Sequence, residues 1–497
     1  MQFGKLKGCF TAMALMVGFG ACLAHAEAPP SSSGTAIAIM QATAALQSND
    51  CAGAMAPLNQ LWNDPYLDGS DPDTAAQFRF ALVSCTAQTQ GLKAALALST
   101  DNIKRAHTNV AAYDMHVFLQ LLNQQPDLAA LTLQDALARF KKEAVNLTDV
   151  SVMGVLLQEH DKDPVRSLAL LNAMEEDNWQ PHRMAGRPLI GLLRLEGLRK
   201  TLISSDRVHA DLYRADIAKD SLIYIVSQGD AEISSPDGPV LPIKPIIASE
   251  IEAVKASVAA DPTDLLNLSY LISLERVNGQ DQLASTQLEG ILALVDKYGL
   301  QNFQDQEVYG ELLSDRAELL AAQGLNVQAL GAYVDGATKL KGQNSGDFYL
   351  SYQNYLIDSG QEIKGLALEQ SMDLGALDVG QKLTLAMNEA CAYGYMKNDV
   401  QFAASLKQLD GNDILKIKPY LCASKGDSAA ASLKASIAER SNRDGMISQM
   451  QDSLPALSYG ARDDQYVAAY LALKKQGDVE VAAKAANITV RSWPLRF

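Results

Sequence analysis

The sequence predicts an all-α protein, an α-solenoid in which helical hairpins follow one another along the chain. Ala, Leu, Gln and Glu, which favour helices, are abundant, whereas runs of β-branched residues are few. Apolar residues recur at helical spacing over most of the chain. Glycine or asparagine separates successive amphipathic segments at intervals of 28 to 51 residues. Because a single hairpin cannot bury its own apolar face, such a series indicates stacked hairpins.

The clearest hairpin boundary is Gly324, within AAQGLNVQALGAYVDGATKL at 321–340. A glycine there supplies the left-handed backbone conformation that ends the first helix. Ala329, five residues later, lets the second helix pack closely against the first. Other boundaries share this spacing from a glycine or asparagine to a small residue. They are Gly279, Gly360, Asn398, Gly426 and Gly477, followed by Ala284, Gly365, Ala403, Ala431 and Ala482.

The N-terminal region, residues 35–227, also predicts helices, in a more divergent array. Asp71-Pro72 and Asp163-Pro164, and later Asp261-Pro262, look like N-caps followed by proline at the first helical position. The expected helices are 35–48, 51–62, 72–88, 91–99, 109–124, 127–144, 149–159, 164–175 and 187–203.

A Pro/Gly-rich stretch, 228–246, interrupts the helical pattern, since four prolines in ten residues exclude a helix. It is either a linker between two helical halves or a loop within one continuous array. The preceding LIYIV is either a short strand or a buried helix end. Helical repeats then occupy 247–490. The aromatic tail RSWPLRF, 491–497, is expected to pack over the last hairpin.

The repeats over about 248–490 resemble the tetratricopeptide repeat. The resemblance lies in an apolar–apolar–small first helix, a glycine, alanine five residues later and an aromatic residue nine later. Gly324, Ala329 and Tyr333 match best, whereas the tryptophan and terminal proline of that repeat are largely missing. The resemblance implies a concave surface, lined by first helices, that binds peptides or protein domains. The implied exposed partner-binding positions are Glu311, Ser314, Glu318, Asp347, Asn354, Asn388 and Tyr395.

Residues 1–26 have the features of a bacterial secretory signal peptide. Lys5 and Lys7 give a positive start, and the apolar stretch 10–21 is too short to span a bilayer. The AHA at 24–26 is a small-x-small cleavage site, and a flexible polar linker, 27–34, follows it. We therefore expect the mature chain in the periplasm of a Gram-negative bacterium.

A lipid anchor is the alternative to cleavage after residue 26. Gly20-Ala21-Cys22 resembles a lipobox, although Phe19 stands where that signal usually has an aliphatic residue. Acylation of Cys22 would make the chain an outer-membrane lipoprotein. No later segment approaches 18 consecutive apolar residues, so no transmembrane span is expected.

Four cysteines follow the predicted signal peptide: Cys51, Cys85, Cys391 and Cys422. An even number of cysteines in an exported chain indicates disulfides. Three pairings exist, and the local one, Cys51 with Cys85 and Cys391 with Cys422, is favoured. Four unpaired buried thiols are the alternative. No cysteine lies in a C-x-x-C, so a thioredoxin-like redox role or a zinc ribbon has no support.

The net charge and the motif content of the sequence argue against several classes of protein function. A formal net charge of −16, without a basic run, disfavours nucleic acid and anionic membrane surfaces. The sequence contains none of H-E-x-x-H, G-x-x-x-x-G-K-[ST], G-x-S-x-G and S-x-x-K, so we assign no catalytic residue. The histidines that follow the predicted signal peptide lack metal-ligand spacing, and we expect no metal or cofactor. These histidines are His107, His116, His160, His182 and His209.

The expected function is that of a non-enzymatic periplasmic scaffold with a protein or peptide partner in the cell envelope. One alternative is a peptidoglycan-directed role, since soluble lytic transglycosylases have a helical arm of similar style. Against it, the helical repeats leave no room for a lysozyme-like catalytic domain. The other alternative is an outer-membrane lipoprotein assembly factor, which depends on acylation of Cys22.

Overall fold

The computed structural model describes residues 33–105, 108–177, 179–181, 184–201, 220–232, 242–341, 345–454 and 458–496. The predicted signal peptide, Cys22 and the prolines at 236 and 239 lie outside these ranges. The described residues form 25 α-helices, several short 3-10 turns and two short strands. The all-α prediction is confirmed. No helix in these ranges has the length and apolar character needed to cross a membrane.

The chain divides into two compact units. The first comprises the described residues up to 181 together with 196–201, and the second comprises 184–195 and the residues from 220 onward. Helices of the first unit are α1 Ser33–Gln47, α2 Cys51–Trp62, α3 Pro65–Ser70, α4 Pro72–Thr89, α5 Leu92–Asn102, α6 Val110–Leu122, α7 Pro126–Phe140, α8 Asp149–Lys162 and α9 Pro164–Glu176. Helix α10, Arg187–Thr201, contributes residues to both units.

The second unit holds the remaining elements. They are α11 Ser221–Gly229, α12 Ile243–Ala260, α13 Leu265–Val277, α14 Asp281–Tyr298, α15 Tyr309–Ala322, α16 Asn326–Lys339, α17 Gly346–Asp358, α18 Glu362–Ala367, α19 Val379–Tyr395, α20 Asp399–Lys407, α21 Asp413–Cys422, α22 Gly426–Ala438, α23 Arg443–Met450, β1 Asp452–Leu454, α24 Ala461–Lys474, α25 Gly477–Ala485 and β2 Ser492–Arg496. The segment LIYIV lies in α11, a helix whose residues are all buried except Leu222.

Aspartate caps start several helices as the sequence predicts. Asp71 accepts a hydrogen bond from Thr74 N, and Asp163 accepts one from Arg166 N, both at 3.0 Å. The expectation for Asp261 is wrong, because this residue ends α12. Asp264 instead caps α13 through Asn267 N, since the turn between the helices takes up Pro262 and Thr263.

One turn geometry recurs at seven described helix–helix connections, in both units, and its hydrogen bond also forms at Asn487 after α25. A residue with positive φ follows the helix, and the N–H of the next residue donates to the carbonyl five positions earlier, which is the Schellman motif. The residue five positions after the left-handed one is buried each time. Left-handed residues are Asn49, Gln124, Gly279, Gly324, Gly360, Lys397 and Ser424; their buried counterparts are Ala54, Ala129, Ala284, Ala329, Gly365, Phe402 and Ala429.

The predicted left-handed glycines at 279, 324 and 360 are confirmed, with φ of 77°, 77° and 83°. The predictions for Asn398 and Gly426 are wrong, because Lys397 and Ser424 adopt that conformation instead. The helix register shifts with them, so Ala403 and Ala431 are exposed. The described turn before Gly477 contains no positive φ, and Ala483, not Ala482, is buried there.

Helices of the second unit pack in consecutive pairs, α13 with α14 through α21 with α22. The first helix of each pair also contacts the first helix of the next, along α13, α15, α17, α19 and α21. One apolar core runs through the pairs from α13 to α17. At its centre the Tyr333 ring stacks on Tyr352 with centroids 4.7 Å apart, and Phe348 lies 5.8 Å from Tyr333. The first helices therefore share one surface.

The beginning and the end of the second unit are joined. Thr489 N donates to Gly229 O at 2.8 Å, Ala231 N donates to Asn487 O at 2.9 Å, and Arg443 pairs with Asp230. Strand β2 pairs in parallel with β1. The last residues of the unit thus return to α11.

The C-terminal tail does not pack over the last hairpin as predicted. Trp493 and Leu495 lie in a core with Ile243 and Ile247 of α12. Pairing of β2 with β1 fixes the tail as a strand, and alternation along a strand places both side chains on one face, against α12 and α13.

Two disulfides link helices locally, as predicted. Cys51 pairs with Cys85 and Cys391 pairs with Cys422, with Cα atoms 5.0 and 5.2 Å apart. The first joins α2 to α4 and the second joins α19 to α21, so each unit contains one. Paired cysteines fit an oxidising compartment.

Candidate functional site

The seven predicted partner-binding residues differ in exposure. Glu311 and Asp347 are exposed, and Glu318, Asn354 and Tyr395 are half-buried. The other two, Ser314 and Asn388, are buried, at 5% and 1% exposure, so the expectation that they are exposed is wrong.

Direct packing between first helices explains the burial of Asn388. Its side-chain nitrogen donates to Leu350 O at 3.0 Å and to Gln353 Oε1 at 3.1 Å, which ties α19 to α17. Ser314 Oγ donates within its own helix, to Gly310 O at 3.2 Å. The Asn388 amide nitrogen and the Ser314 hydroxyl thus bond within the structure, and both residues act as packing residues.

Glu318 belongs to a charged cluster between α13 and α15. Arg276 Nη2 donates to Glu318 Oε2 at 2.7 Å, and Arg276 Nη1 pairs with Asp315. Tyr459 Oη donates to the same Glu318 oxygen at 3.2 Å. Burial raises the pKa of Asp315 to about 7, although Arg276 opposes the shift. Ser269 of α13 donates to Glu311 at 3.0 Å.

A second charged cluster centres on Lys418 of α21. Lys418 Nζ donates to Asp358 Oδ2 at 2.8 Å and to Asn354 Oδ1 at 2.7 Å, which links α21 to α17. The Asp358 side chain is 1% exposed. A buried carboxylate needs such a partner, because an isolated charge would be strongly destabilising there. The ring of Tyr466 lies 5.4 Å from Lys418 Nζ.

Arg462, at the start of α24, is a third cation beside these helices, after Arg276 and Lys418. It pairs with Glu362 of α18 and lies over the ring of Tyr395, 4.6 Å from its centroid. Asp463 Oδ2 accepts a hydrogen bond from Tyr459 N at 3.0 Å and so orders the turn that carries Tyr459 and Arg462. The Tyr459 ring also lies 6.5 Å from that of Tyr355 in α17.

The surface formed by the first helices α13, α15, α17, α19 and α21 is called here the first-helix face. Part of this face is occupied by the chain itself, through residues 458–474. Tyr459 reaches the predicted residue Glu318, and Arg462 reaches the predicted residue Tyr395. Two of the predicted residues, Glu318 and Tyr395, are therefore in contact with the segment 458–474.

Sequence reasoning missed the cations on this face: Arg276, Lys418 and Arg462. Only indirect signals exist. The first helices carry acids such as Glu318 and Asp358 at positions that face neighbouring helices, and buried acids require cations. The sequence does not say which of the 42 lysines and arginines supply them.

The described histidines have packing roles. Nδ1 of His116 lies 3.2 Å from Ser99 Oγ, and burial lowers the pKa of His116 to about 4. Nε2 of His160 lies 2.5 Å from Glu196 Oε2. The other three, at 107, 182 and 209, lie outside the described residues. Within those residues no group of three or more His, Cys, Asp or Glu side chains is arranged to hold a metal ion.

No protein-family model and no curated protein matches this chain.

Proposed function

We propose that this chain is a tetratricopeptide-like solenoid exported to the periplasm, where it is a scaffold that binds protein segments on its first-helix face. The observation that carries the proposal is that this face already holds one helical segment, 458–474, through an aromatic and a cationic anchor. Tyr459 bonds Glu318 and Arg462 pairs with Glu362. A groove that accepts a helix in this way uses the chemistry of helix-in-groove recognition.

Several further features support a repeat architecture and an oxidising location. Seven turns share one geometry, and the first helices contact one another in order. The two disulfides fit an oxidising compartment, as the periplasm is. The exported location itself rests on the signal-peptide features of residues 1–26.

The acids on the first-helix face indicate the chemistry of the partner. Glu311 and Asp347 are exposed there, on α15 and α17. Arg462 shows which group suits such a surface, since a guanidinium both pairs with a carboxylate and stacks on an aromatic ring. The partner proposed is therefore a protein segment with exposed basic and aromatic side chains.

In-cell photocrosslinking tests this proposal. A photoreactive amino acid at position 311 or 347 is expected to capture one or two reproducible envelope proteins, identified by mass spectrometry. The same probe at Gln328, exposed on the second helix α16, is the matched control and should not capture them. With the probe at position 311, Asp347→Lys should abolish the capture, and with the probe at position 347, Glu311→Lys should do so.

Other outcomes would overturn the scaffold. Equal capture from position 328 would remove the first-helix face as the binding surface. Recovery of the chain on peptidoglycan sacculi without a protein partner would favour the glycan-directed role. Processing that globomycin blocks would instead indicate a lipoprotein anchored through Cys22.

A further inference from the structure

A cavity of about 460 Å³ lies in the second unit between α21, α23, α24 and β1. This volume falls within the range of roughly 300–1,000 Å³ that is typical of small-molecule sites. Most of the lining is apolar, with contributions from Met387, Ile414, Leu415, Leu454, Val467 and Leu471. The polar lining includes Lys418 and Lys474.

The helix α24 leaves its apolar side chains uncovered at this cavity. Only Asp463 and Leu473 are buried in α24. Val467 and Leu471, which line the cavity, are half-buried, and so is Ile414 on the facing helix. Contact between apolar surface and water is unfavourable. An apolar ligand that covers this surface therefore gains binding free energy.

Lys474 supplies a positive charge at the same cavity. Its ammonium donates to the carbonyls of Gln449 and Gln451, both at 2.9 Å. An ammonium has three donors, so one is left by these two bonds. Burial lowers the pKa of Lys474, with Lys475 adding to the effect and Asp452 opposing it. Among the described residues Lys474 forms no ion pair. Asp452 attracts its charge from a greater distance, and the ring of Tyr470 lies 5.7 Å from Nζ.

Lys418, the other lysine of the lining, differs from Lys474 in this respect. Its ammonium is paired with Asp358. Lys474 is thus the cation that an anionic ligand would approach. In a partly desolvated site, opposite charges attract more strongly than they do in water.

We propose that this cavity binds a single-chain amphiphile with an anionic head group. The chain lies against Ile414, Val467 and Leu471, and the head group binds the ammonium of Lys474. The shared chemistry fits both a free fatty acid and a lysophospholipid with an anionic head. This inference is independent of the scaffold function, because it concerns a small ligand and other side chains.

Isothermal titration of the chain from residue 27 onward with decanoate, below its micelle concentration, tests the proposal. Saturable binding with one site per chain is expected. Decyltrimethylammonium, with the same chain and the opposite charge, should bind at least tenfold more weakly. Absence of saturable decanoate binding, or equal binding of the two amphiphiles, would overturn the proposal.

A matched pair of variants locates the head group. Lys474→Gln keeps a donor for the two carbonyls but loses the charge, and it should weaken decanoate binding at least tenfold. Lys475→Gln changes an exposed neighbouring lysine and should leave binding unchanged. Equal effects of both variants would contradict the assigned head-group position.

A third variant keeps the test valid if Lys474→Gln does not fold. Val467→Trp is expected to fill the cavity and abolish decanoate binding. Unchanged binding would mean that the ligand lies elsewhere and would overturn the proposal. Lysophosphatidylglycerol distinguishes the sources. If lysophosphatidylglycerol binds at the same site, the ligand is lipid-derived. If decanoate binds there and lysophosphatidylglycerol does not, the ligand is a free fatty acid.

Discussion

The two units build the same hairpin turn from different residues. In the first unit the left-handed position is held by Asn49 and Gln124, with φ of 56° and 59°. In the second unit glycine holds it at 279, 324 and 360, and Lys397 and Ser424 hold it at the next two turns. The hydrogen bonds and the buried residue five positions later are the same. The left-handed turn therefore also forms without glycine, the residue that usually holds it. Glycine is found only at those turns that avoid the backbone strain of a Cβ at positive φ.

The largest expected change in the free energy of unfolding comes from removal of a disulfide. Each unit contains one, and its loss should destabilise the unit that contains it. Cys51→Ser with Cys85→Ser should lower the free energy of unfolding of the first unit by about 3–4 kcal/mol, because the unfolded chain regains the entropy of a 34-residue loop. Cys391→Ser with Cys422→Ser should have a similar effect on the second unit, whose loop spans 31 residues.

Tryptophan fluorescence during denaturant unfolding can follow the two units separately. Trp62 and Trp179 lie in the first unit, and Trp493 lies in the second. In a variant that keeps only Trp493, loss of the Cys391–Cys422 bond should shift the transition. A larger shift from loss of the Cys51–Cys85 bond would contradict the expected contrast.

The units are also expected to respond to pH with opposite signs. In the first, burial lowers the pKa of His116 from 6.5 to about 4, so the unfolded state binds the extra proton between these values. Stability from this group is present above pH 6.5 and is lost as the pH falls towards 4, by on the order of 3 kcal/mol at most. In the second, burial raises the pKa of Asp315 from 3.8 to about 7, so the folded state binds the extra proton and stability falls as the pH rises from about 4 to 7.

Unfolding free energies measured from pH 4 to pH 8 check both signs. His116→Gln should flatten the profile of the first unit below pH 6.5. Asp315→Asn should flatten that of the second unit between pH 4 and 7. If each variant leaves its profile parallel to that of the unaltered chain, these groups do not set the pH dependence.

Close packing after the turn distinguishes Gly365 from the alanines of the first unit. A Cβ at Gly365 would lie 2.9 Å from Ile357 Cγ1 and 3.2 Å from Gln353 O, whereas Ala54 and Ala129 accommodate theirs. Gly365→Ala is therefore expected to destabilise by about 1–3 kcal/mol. Gly331→Ala, inside α16 with no atom within 4 Å of the new Cβ, is the control and should stabilise by about 0.5–1 kcal/mol. Stabilisation by both substitutions would show that Gly365 is not a packing requirement.

The smallest effects are expected at the turn residues themselves. Gly324→Ala should cost about 1–2 kcal/mol, since φ is 77° there and a Cβ disfavours this conformation. Gln124→Gly should stabilise the first unit by less than about 1 kcal/mol, because relief of that strain is partly offset by the greater entropy of the unfolded chain. Denaturant midpoints measure both, and destabilisation by Gln124→Gly would mean that the Gln124 side chain contributes more than its backbone strain costs.

Local features explain how much of the fold could be predicted. Helix boundaries in the first unit lie within a few residues of expectation, as for α6, predicted as 109–124 and observed as Val110–Leu122. The helix α3, Pro65–Ser70, was not predicted, although Asp64-Pro65 has the same capping pattern as Asp71-Pro72. Its six residues are too few to give a helical period.

The amino-acid sequence by itself determined the helical class, the local cysteine pairs and the glycine turns, because each depends on residues close together in the chain. Tertiary structure alone decided that Tyr459 bonds Glu318, 141 residues away, and that Trp493 and Leu495 pack against α12. Periodicity shows that a helix has an apolar face but not which element covers it. The first-helix face and its occupant 458–474 therefore became visible only once distant charges and rings had been brought together by folding.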